Sequence, residues 1–136
     1  MPGKRFLDTN VLLYLYSEDE PVKQATADTL VRGEERAWVS AQVLSEMANV
    51  LRRKFGVAYP DIGAAIAEVR AACEVHVVTP ETVAFALSLG ERYRYSYFDS
   101  LILAAALECE CETLASEDMQ HGFVVESRLT IHNPFA

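Results

Sequence analysis

Short apolar stretches of strand length alternate along this chain with longer stretches of helical period. Phe6 and Leu7 end a first apolar stretch that opens after Lys4 and Arg5. Asp8-Thr9-Asn10, all cap-forming types, then start a helix through the apolar run Val11 to Tyr16. Glu20 to Gly33 carries Val22, Ala25, Thr29 and Leu30 at helical spacing and closes on Gly33, a usual residue just past a helix end. Ala37 to Val39 reads as a strand, and Ser40 caps a helix through Lys54 that Gly56 ends. On that helix Val43, Leu44, Met47, Val50 and Leu51 form one stripe, with Glu46 beside it and Gln42 and Asn49 flanking one turn away.

The same alternation continues. Pro60-Asp61 opens an alanine-rich helix to about Glu74, and Val75 to Val78 is a β-branched strand carrying His76. Thr79-Pro80-Glu81 starts a helix filled by Val83, Phe85, Ala86, Leu87 and Leu89 as far as Gly90. Ser96 and Asp99 have capping-box spacing before the most apolar helix, Ser100 to Leu107. Glu112 to Ala115 is a strand ending in Ser116-Glu117-Asp118, Met119 to Gly122 a turn, and Leu129 to Ile131 a last strand before Asn133-Pro134-Phe135. Strand and helix in alternation predict an α/β fold with a parallel sheet covered on both faces, in a single domain over residues 1–136.

Composition narrows the function classes. The chain has 136 residues, half of them apolar, so it can bury a core without disulfide or structural metal. Its longest apolar runs fall far short of a membrane span, and the N-terminus lacks the apolar core of a signal peptide, so a cytoplasmic protein is expected. Cys73, Cys109 and Cys111 have neither redox nor zinc spacing and read as inert thiols; His76, His121 and His132 are scattered. With 20 acids against 12 bases, the net charge of −8 excludes a protein that coats nucleic acid through a broad positive field. Contact with a polyanion must be local or through a cation, unless a basic partner covers the chain for part of its life.

The acids themselves supply the candidate chemistry. Asp8 and Asp118 follow strands, Asp99 stands in the first turn of a buried helix, and Glu46 lies on a helix that follows a strand. In a parallel sheet those strand ends and helix starts share one edge, where such folds place their ligands. Three of the acids also have ordinary roles: Asp8 and Asp99 are cap residues, and Glu46 is a rim residue of an amphipathic helix. Two carboxylates about 5 Å apart repel by roughly 3 kcal/mol at an effective dielectric near 20, so convergence calls for protons or a divalent cation. Oxygen-only donors indicate Mg²⁺ or Mn²⁺. Such a site activates water and stabilises charge on phosphoryl oxygens, as phosphodiester hydrolysis requires. Arg92-Tyr93-Arg94-Tyr95-Ser96-Tyr97-Phe98 interleaves cations with aromatics that can meet phosphates and stack on bases, or simply close a helix and fill the core.

These residues resemble the PIN-domain nucleases, and within them the VapC toxins of toxin–antitoxin pairs. The likeness covers nearly the whole chain and rests on Phe6-Leu7-Asp8-Thr9-Asn10-Val11-Leu12, Ser45-Glu46, Tyr97-Phe98-Asp99-Ser100-Leu101-Ile102, the stretch Leu114 to Gly122 around Ser116-Glu117-Asp118, and the closing Asn133-Pro134-Phe135. It implies an α/β/α sandwich of about five parallel strands. The acidic quartet would be Asp8, Glu46, Asp99 and Asp118, catalytic and metal-ligating, with Thr9, Asn10 and Ser116 orienting the carboxylates from behind. Glu117 rivals Asp118, but neighbours on an extended segment face opposite ways, and the family pattern favours Asp118. The resemblance further implies a Mg²⁺-dependent endoribonuclease acting on structured RNAs such as tRNA, a homodimer, and a VapB-like antitoxin whose C-terminal segment lies over the site. Arg52, Arg53, Lys54, Arg92 and Arg94 are candidate RNA contacts, or else neutralise two helix C-termini.

Three other readings compete. A phosphotransfer receiver domain needs a late lysine, and none follows Lys54; a haloacid-dehalogenase-type phosphatase needs an acid where Asn10 stands. A PIN scaffold that binds RNA or protein without cutting is the remaining alternative.

Overall fold

The computed structural model describes residues 3–136. These residues form six short strands and six helices in the order β1 (Arg5–Leu7), α1 (Thr9–Tyr14), α2 (Pro21–Val31), β2 (Trp38–Ser40), α3 (Ala41–Arg53), α4 (Tyr59–Ala72), β3 (Glu74–His76), α5 (Pro80–Tyr93), α6 (Tyr97–Glu108), β4 (Thr113–Ala115), β5 (Val124–Val125) and β6 (Leu129–His132). The sheet order is β3-β2-β1-β4-β6-β5. All neighbours pair in parallel except β5 with β6. Among the described residues no helix is long and apolar enough to cross a membrane.

Handedness sorts the helices into two layers. The chain steps outward from β1 to β2 to β3 with α1–α4 as crossovers, then returns across the sheet to β4 through α5 and α6. Right-handed crossovers in opposite directions place these two groups on opposite faces. Their contacts agree, since α1 packs on α2 and α3, α3 on α4, and α5 on α6. The result is the expected α/β/α sandwich. Its direction reverses between β1 and β4, the point where open α/β sheets form a crevice at their carboxyl edge.

The middle of the sandwich explains the apolar pattern. Phe6, Leu7, Val39, Leu114 and Ile131 are fully buried sheet residues, and every residue of α6 from Ser100 to Leu107 is buried. From Ser100 to Leu107 the helix is apolar all round because it is enclosed all round.

Boundaries differ from the sequence reading at several elements, among them β3, which spans Glu74–His76 in place of Val75 to Val78, and α6, which starts at Tyr97; four departures have a tertiary reason. Gly33 is not a left-handed helix stop: the buried Arg5 guanidinium donates to Leu30 O at 2.9 and 2.7 Å, and a Cβ on Gly33 would stand 2.7 Å from it. Helix α4 ends at Ala72, before Glu74, because the Glu74 N–H is drawn to Ala37 O at 2.9 Å and opens β3. Helix α5 passes through Gly90 to Tyr93 and ends at Arg94 with φ 66°; at Gly90 a Cβ would meet Ser100 Oγ at 3.0 Å, so glycine is there to admit α6. The sheet also has a sixth strand, β5, antiparallel to β6 across a turn whose Glu126 and Ser127 have φ of 51° and 57°. Neither residue is glycine, so the usual hairpin signal is missing. Tyr93 Oη, which accepts from Glu126 N and donates to Glu126 Oε2, secures the turn from α5.

Because α6 is the buried strut behind the carboxyl edge, Leu103→Ala, at a fully enclosed position, is expected to cost about 2–5 kcal/mol. The check is urea denaturation, which should show a lower midpoint at unchanged slope.

Candidate active site

Parallel register sets the first contact. Leu7 of β1 lies opposite Ala115 of β4, so the next residues, Asp8 and Ser116, leave the sheet side by side. Ser116 Oγ donates to Asp8 Oδ2 at 2.8 Å, and Thr9 N donates to Oδ1 at 2.7 Å, which makes Asp8 the N-cap of α1 as well. The cap reading of Asp8 is therefore observed, and its second oxygen is left to meet Ser116. Ser116 is fully buried and Asp8 nearly so, at 6 % exposure.

Other polar side chains hold the remaining acids. Thr9 Oγ1 donates to Glu46 Oε2 at 2.9 Å, and Gln42 Nε2 donates to Glu46 Oε1 at 2.6 Å and to Phe98 O at 3.2 Å. The Gln42 Oε1 is buried and unpartnered, so two acceptors on the NH₂ side fix its orientation. Asn10 Nδ2 donates to Asp118 Oδ2 at 2.9 Å, while Asn10 Oδ1 accepts from Glu117 N at 3.4 Å. Asp99 is half-buried, and its backbone N–H is capped by Ser96 Oγ at 3.2 Å. Only that half of the Ser96 capping box forms.

Glu117 faces elsewhere. Its carboxylate accepts from Tyr14 Oη at 2.6 Å and pairs with Lys23 Nζ at 2.7 Å. Partial burial pushes this carboxyl upward, but Lys23 and Tyr14 outweigh it and hold it below the usual glutamate range. Lys23 also lies over the Tyr14 ring, 4.9 Å from its centroid, and Tyr14 packs edge-on against Phe135 at 4.8 Å. This cluster ties the closing tail to α1 and α2. Sequence spacing alone did not reveal it, since Tyr14 and Lys23 lie about a hundred residues from Glu117.

Electrostatically the four acids form one neighbourhood. Burial raises the Asp8 carboxyl most, the hydrogen bonds from Ser116 and Thr9 lower it, and the negative fields of Asp99 and Glu46 raise it again, to about 6. Asp99 is raised by burial, eased by Ser96, and raised further by Asp118 and Glu46. None of the ion pairs among the described residues involves any of the four. Among those residues no three His, Cys, Asp or Glu side chains stand close enough to form a metal shell. The chemistry of the donor set nevertheless suits a hard divalent cation: oxygen donors only, oriented from behind by hydroxyl and amide groups, with no ion-paired basic side chain on them among the described residues.

The candidate RNA contacts separate into different situations. Arg92 is bound to Glu126 at 2.6 Å. Arg52 donates to Val57 O at 3.2 Å and stacks over Tyr59 at 4.6 Å, closing the turn after α3. Lys54 lies over the exposed Phe55 ring at 5.6 Å, and Arg53 is exposed near the C-terminal end of α3, about 10 Å along the helix from Glu46. Arg94 is exposed at the end of α5, three residues before α6 begins.

A family model, the PIN domain, matches residues 5–122, a span that contains all four acids. The chain belongs to the PIN-domain family. Solved structures share this PIN fold at low identity. One is Mycobacterium tuberculosis VapC20, described as a sarcin–ricin loop cleaving toxin, at TM-score 0.66 and 22% identity over 81% of this chain and 86% of that one. A toxin–antitoxin complex from Klebsiella pneumoniae matches at TM-score 0.70 and 17% identity, over 96% and 98%. VapBC2 from Rickettsia felis, bound to a DNA fragment from its promoter, matches at 0.68 and 14%, over 96% and 99%. No curated protein matches the chain at a significant level.

The raised Asp8 carboxyl has a stability consequence in this PIN domain. Its folded value of about 6 exceeds the ordinary 3.8, so between those values the native chain holds a proton that the unfolded chain has lost. Stability from this group is full at acid pH and declines as pH rises through about 6. Asp8→Asn, which cannot ionise, is expected to be the more stable form near pH 7.5 without divalent cations, by at most about 3 kcal/mol. The two should converge near pH 4. Thermal melts across that range check it, and a parent at least as stable near pH 7.5 would contradict it.

Proposed function

We propose that this PIN domain, taken as a single unit over residues 1–136, is a Mg²⁺-dependent endoribonuclease that also accepts Mn²⁺, the toxin of a VapBC-type toxin–antitoxin pair. What carries the reading is the uncompensated acidic neighbourhood of Asp8, Glu46, Asp99 and Asp118, in which Asp8, Glu46 and Asp118 each have a side-chain donor behind them. Asp8 and Asp99 are the principal cation ligands, with Glu46 and Asp118 completing the set and Thr9, Asn10 and Ser116 orienting it. A cation bound there supplies the positive charge that lets an acidic chain approach a phosphodiester and a water attack it.

The chain's own residues then do positional work. Ser116 and Thr9 N fix both oxygens of Asp8, and Thr9 Oγ1 and Gln42 fix both oxygens of Glu46. Asn10 bridges Asp118 and the Glu117 backbone, so the loop after β4 presents one carboxylate to the site while Lys23 and Tyr14 keep the other outside it. Carboxylates already held in place need little reorganisation when substrate arrives.

The partner reading has its own support. A groove of about 600 Å³ lies between α1 and the end of α3, lined by Leu13, Tyr16, Leu51 and Phe55 with Glu18, Asp19 and Glu20 among its walls. A second cavity shares Leu13, Lys54 and Phe55 with it and reaches Asn10. Apolar walls and acidic groups suit an amphipathic basic segment of a VapB-like antitoxin leading to the carboxylates, where a guanidinium can pair with them. The toxin would act in the cytoplasm as a homodimer, on a structured RNA; the loop named for VapC20 and tRNA are the substrates to try first.

Purified, antitoxin-free protein is expected to cut total RNA with Mg²⁺ and not with EDTA, as mapping of new 5′ ends would show. Asp99→Asn and Asp118→Asn should lower cleavage about 100-fold or more with unchanged circular dichroism, while Glu117→Gln keeps most of it. Metal-independent cleavage by the pure protein would refute the mechanism. An Asp99→Asn chain that binds RNA as the parent does, where the parent cuts nothing, would favour the binding scaffold instead.

A further inference from the structure

The aromatic and cationic segment before Asp99 is divided by the fold into two parts. Arg92 and Tyr93 both bond Glu126, and the rings of Tyr93 and Tyr95 lie edge-on to Phe123 at 5.7 and 6.4 Å, so these residues fasten the β5–β6 turn to α5. Tyr97 and Phe98 have no such task. Phe98 is 63% exposed and Tyr97 38% exposed, in the first turn of α6 immediately before Asp99. Their rings meet at 5.2 Å and 65°, an edge-to-face corner of two apolar surfaces open to solvent.

This corner is fixed relative to the carboxylates. Gln42 Nε2 holds Phe98 O at 3.2 Å and Glu46 Oε1 at 2.6 Å with the same amide, so the Phe98 backbone and Glu46 are one step apart. Arg94, exposed and in no ion pair among the described residues, stands just before it. We infer that Tyr97 and Phe98 are a stacking platform for an unpaired nucleobase next to the phosphate that enters the carboxylate site. The inference rests on reading that site as one that takes RNA.

Charge explains why a platform is needed. A chain of net charge −8 has little affinity to draw from phosphate contacts. Stacking on a π-face is indifferent to that charge, and the face of a base is accessible only where the strand is unpaired. The platform therefore selects single-stranded or looped RNA at the cut and tolerates any base there.

The test uses the full chain carrying Asp99→Asn and an unstructured RNA of about 12 nucleotides with 2-aminopurine at successive positions, alone or annealed to its complement. Quenching at one or two adjacent positions of the single strand, and none in the duplex, is expected. Adding Phe98→Ala, or Tyr97→Ala with it, should abolish the quench and weaken binding about 10- to 100-fold, whereas Phe98→Trp should retain both. In the chain with Asp99 intact, Phe98→Ala should raise KM by a similar factor, leave kcat within about threefold and keep the rise in melting temperature that Mg²⁺ gives. Equal affinity and quench with and without Phe98, or no quench at any position, overturns the platform. Cleavage by a parent whose Phe98→Ala variant has the same KM defeats the platform and leaves the nuclease standing. RNA binding with a Phe98-dependent quench but no cleavage does the reverse.

Discussion

One hydrogen bond carries the logic of this fold, that from Ser116 Oγ to Asp8 Oδ2, formed by residues 108 apart in the chain. It is a direct consequence of register: Phe6 with Leu114 and Leu7 with Ala115 are apolar pairs sealed in the sheet, so the first polar residue after each strand must emerge beside the other. A slip of one residue would exchange the faces that Phe6 and Leu7 occupy and separate Asp8 from Ser116. Hydrophobic burial thus fixes the polar contact, and the reversal of chain direction between β1 and β4 opens the crevice into which both point.

That arrangement is not favourable for the fold by itself. A carboxylate only 6 % exposed, raised to about 6 by burial and by two acidic neighbours, destabilises the native state at neutral pH. A packed sandwich would be more stable with an amide there. Strain of this kind, kept at one corner of an otherwise consistent fold, is what a site needing concentrated negative charge looks like energetically. The donors around it, Thr9, Ser116, Gln42 and Asn10, orient the acids without cancelling their charge.

The strand and helix order and the position of the acids at strand ends and helix starts were legible in the sequence because they depend on local rules of period and cap chemistry; alternation said only that one of Glu117 and Asp118 faces the edge, and the choice of Asp118 came from the resemblance. Cap and candidate ligand proved not to be alternatives at Asp8, which caps α1 through one oxygen and meets Ser116 through the other. Features that depend on distant partners were not legible. Gly33 makes room for Arg5, Gly90 for Ser100, and the turn at Glu126-Ser127 keeps its left-handed backbone while fastened to Tyr93. Gln42 looked like a flank of an amphipathic stripe and is the amide that joins Glu46 to the start of α6.

The distribution of cations shows where the positive charge of this acidic chain is spent. Arg5 binds the end of α2, Lys23 binds Glu117, Arg36 binds Glu74 and Arg92 binds Glu126, so much of the positive charge is committed to architecture. On the proposed reading, attraction for RNA has to arise at the carboxylates themselves through a bound cation, and from uncharged surfaces beside them. The same unneutralised carboxylates would then attract a basic peptide as readily as a metal. On that reading, inhibition by a cationic partner and activation by a divalent cation would be two uses of one charge deficit, which an arginine within the site would remove.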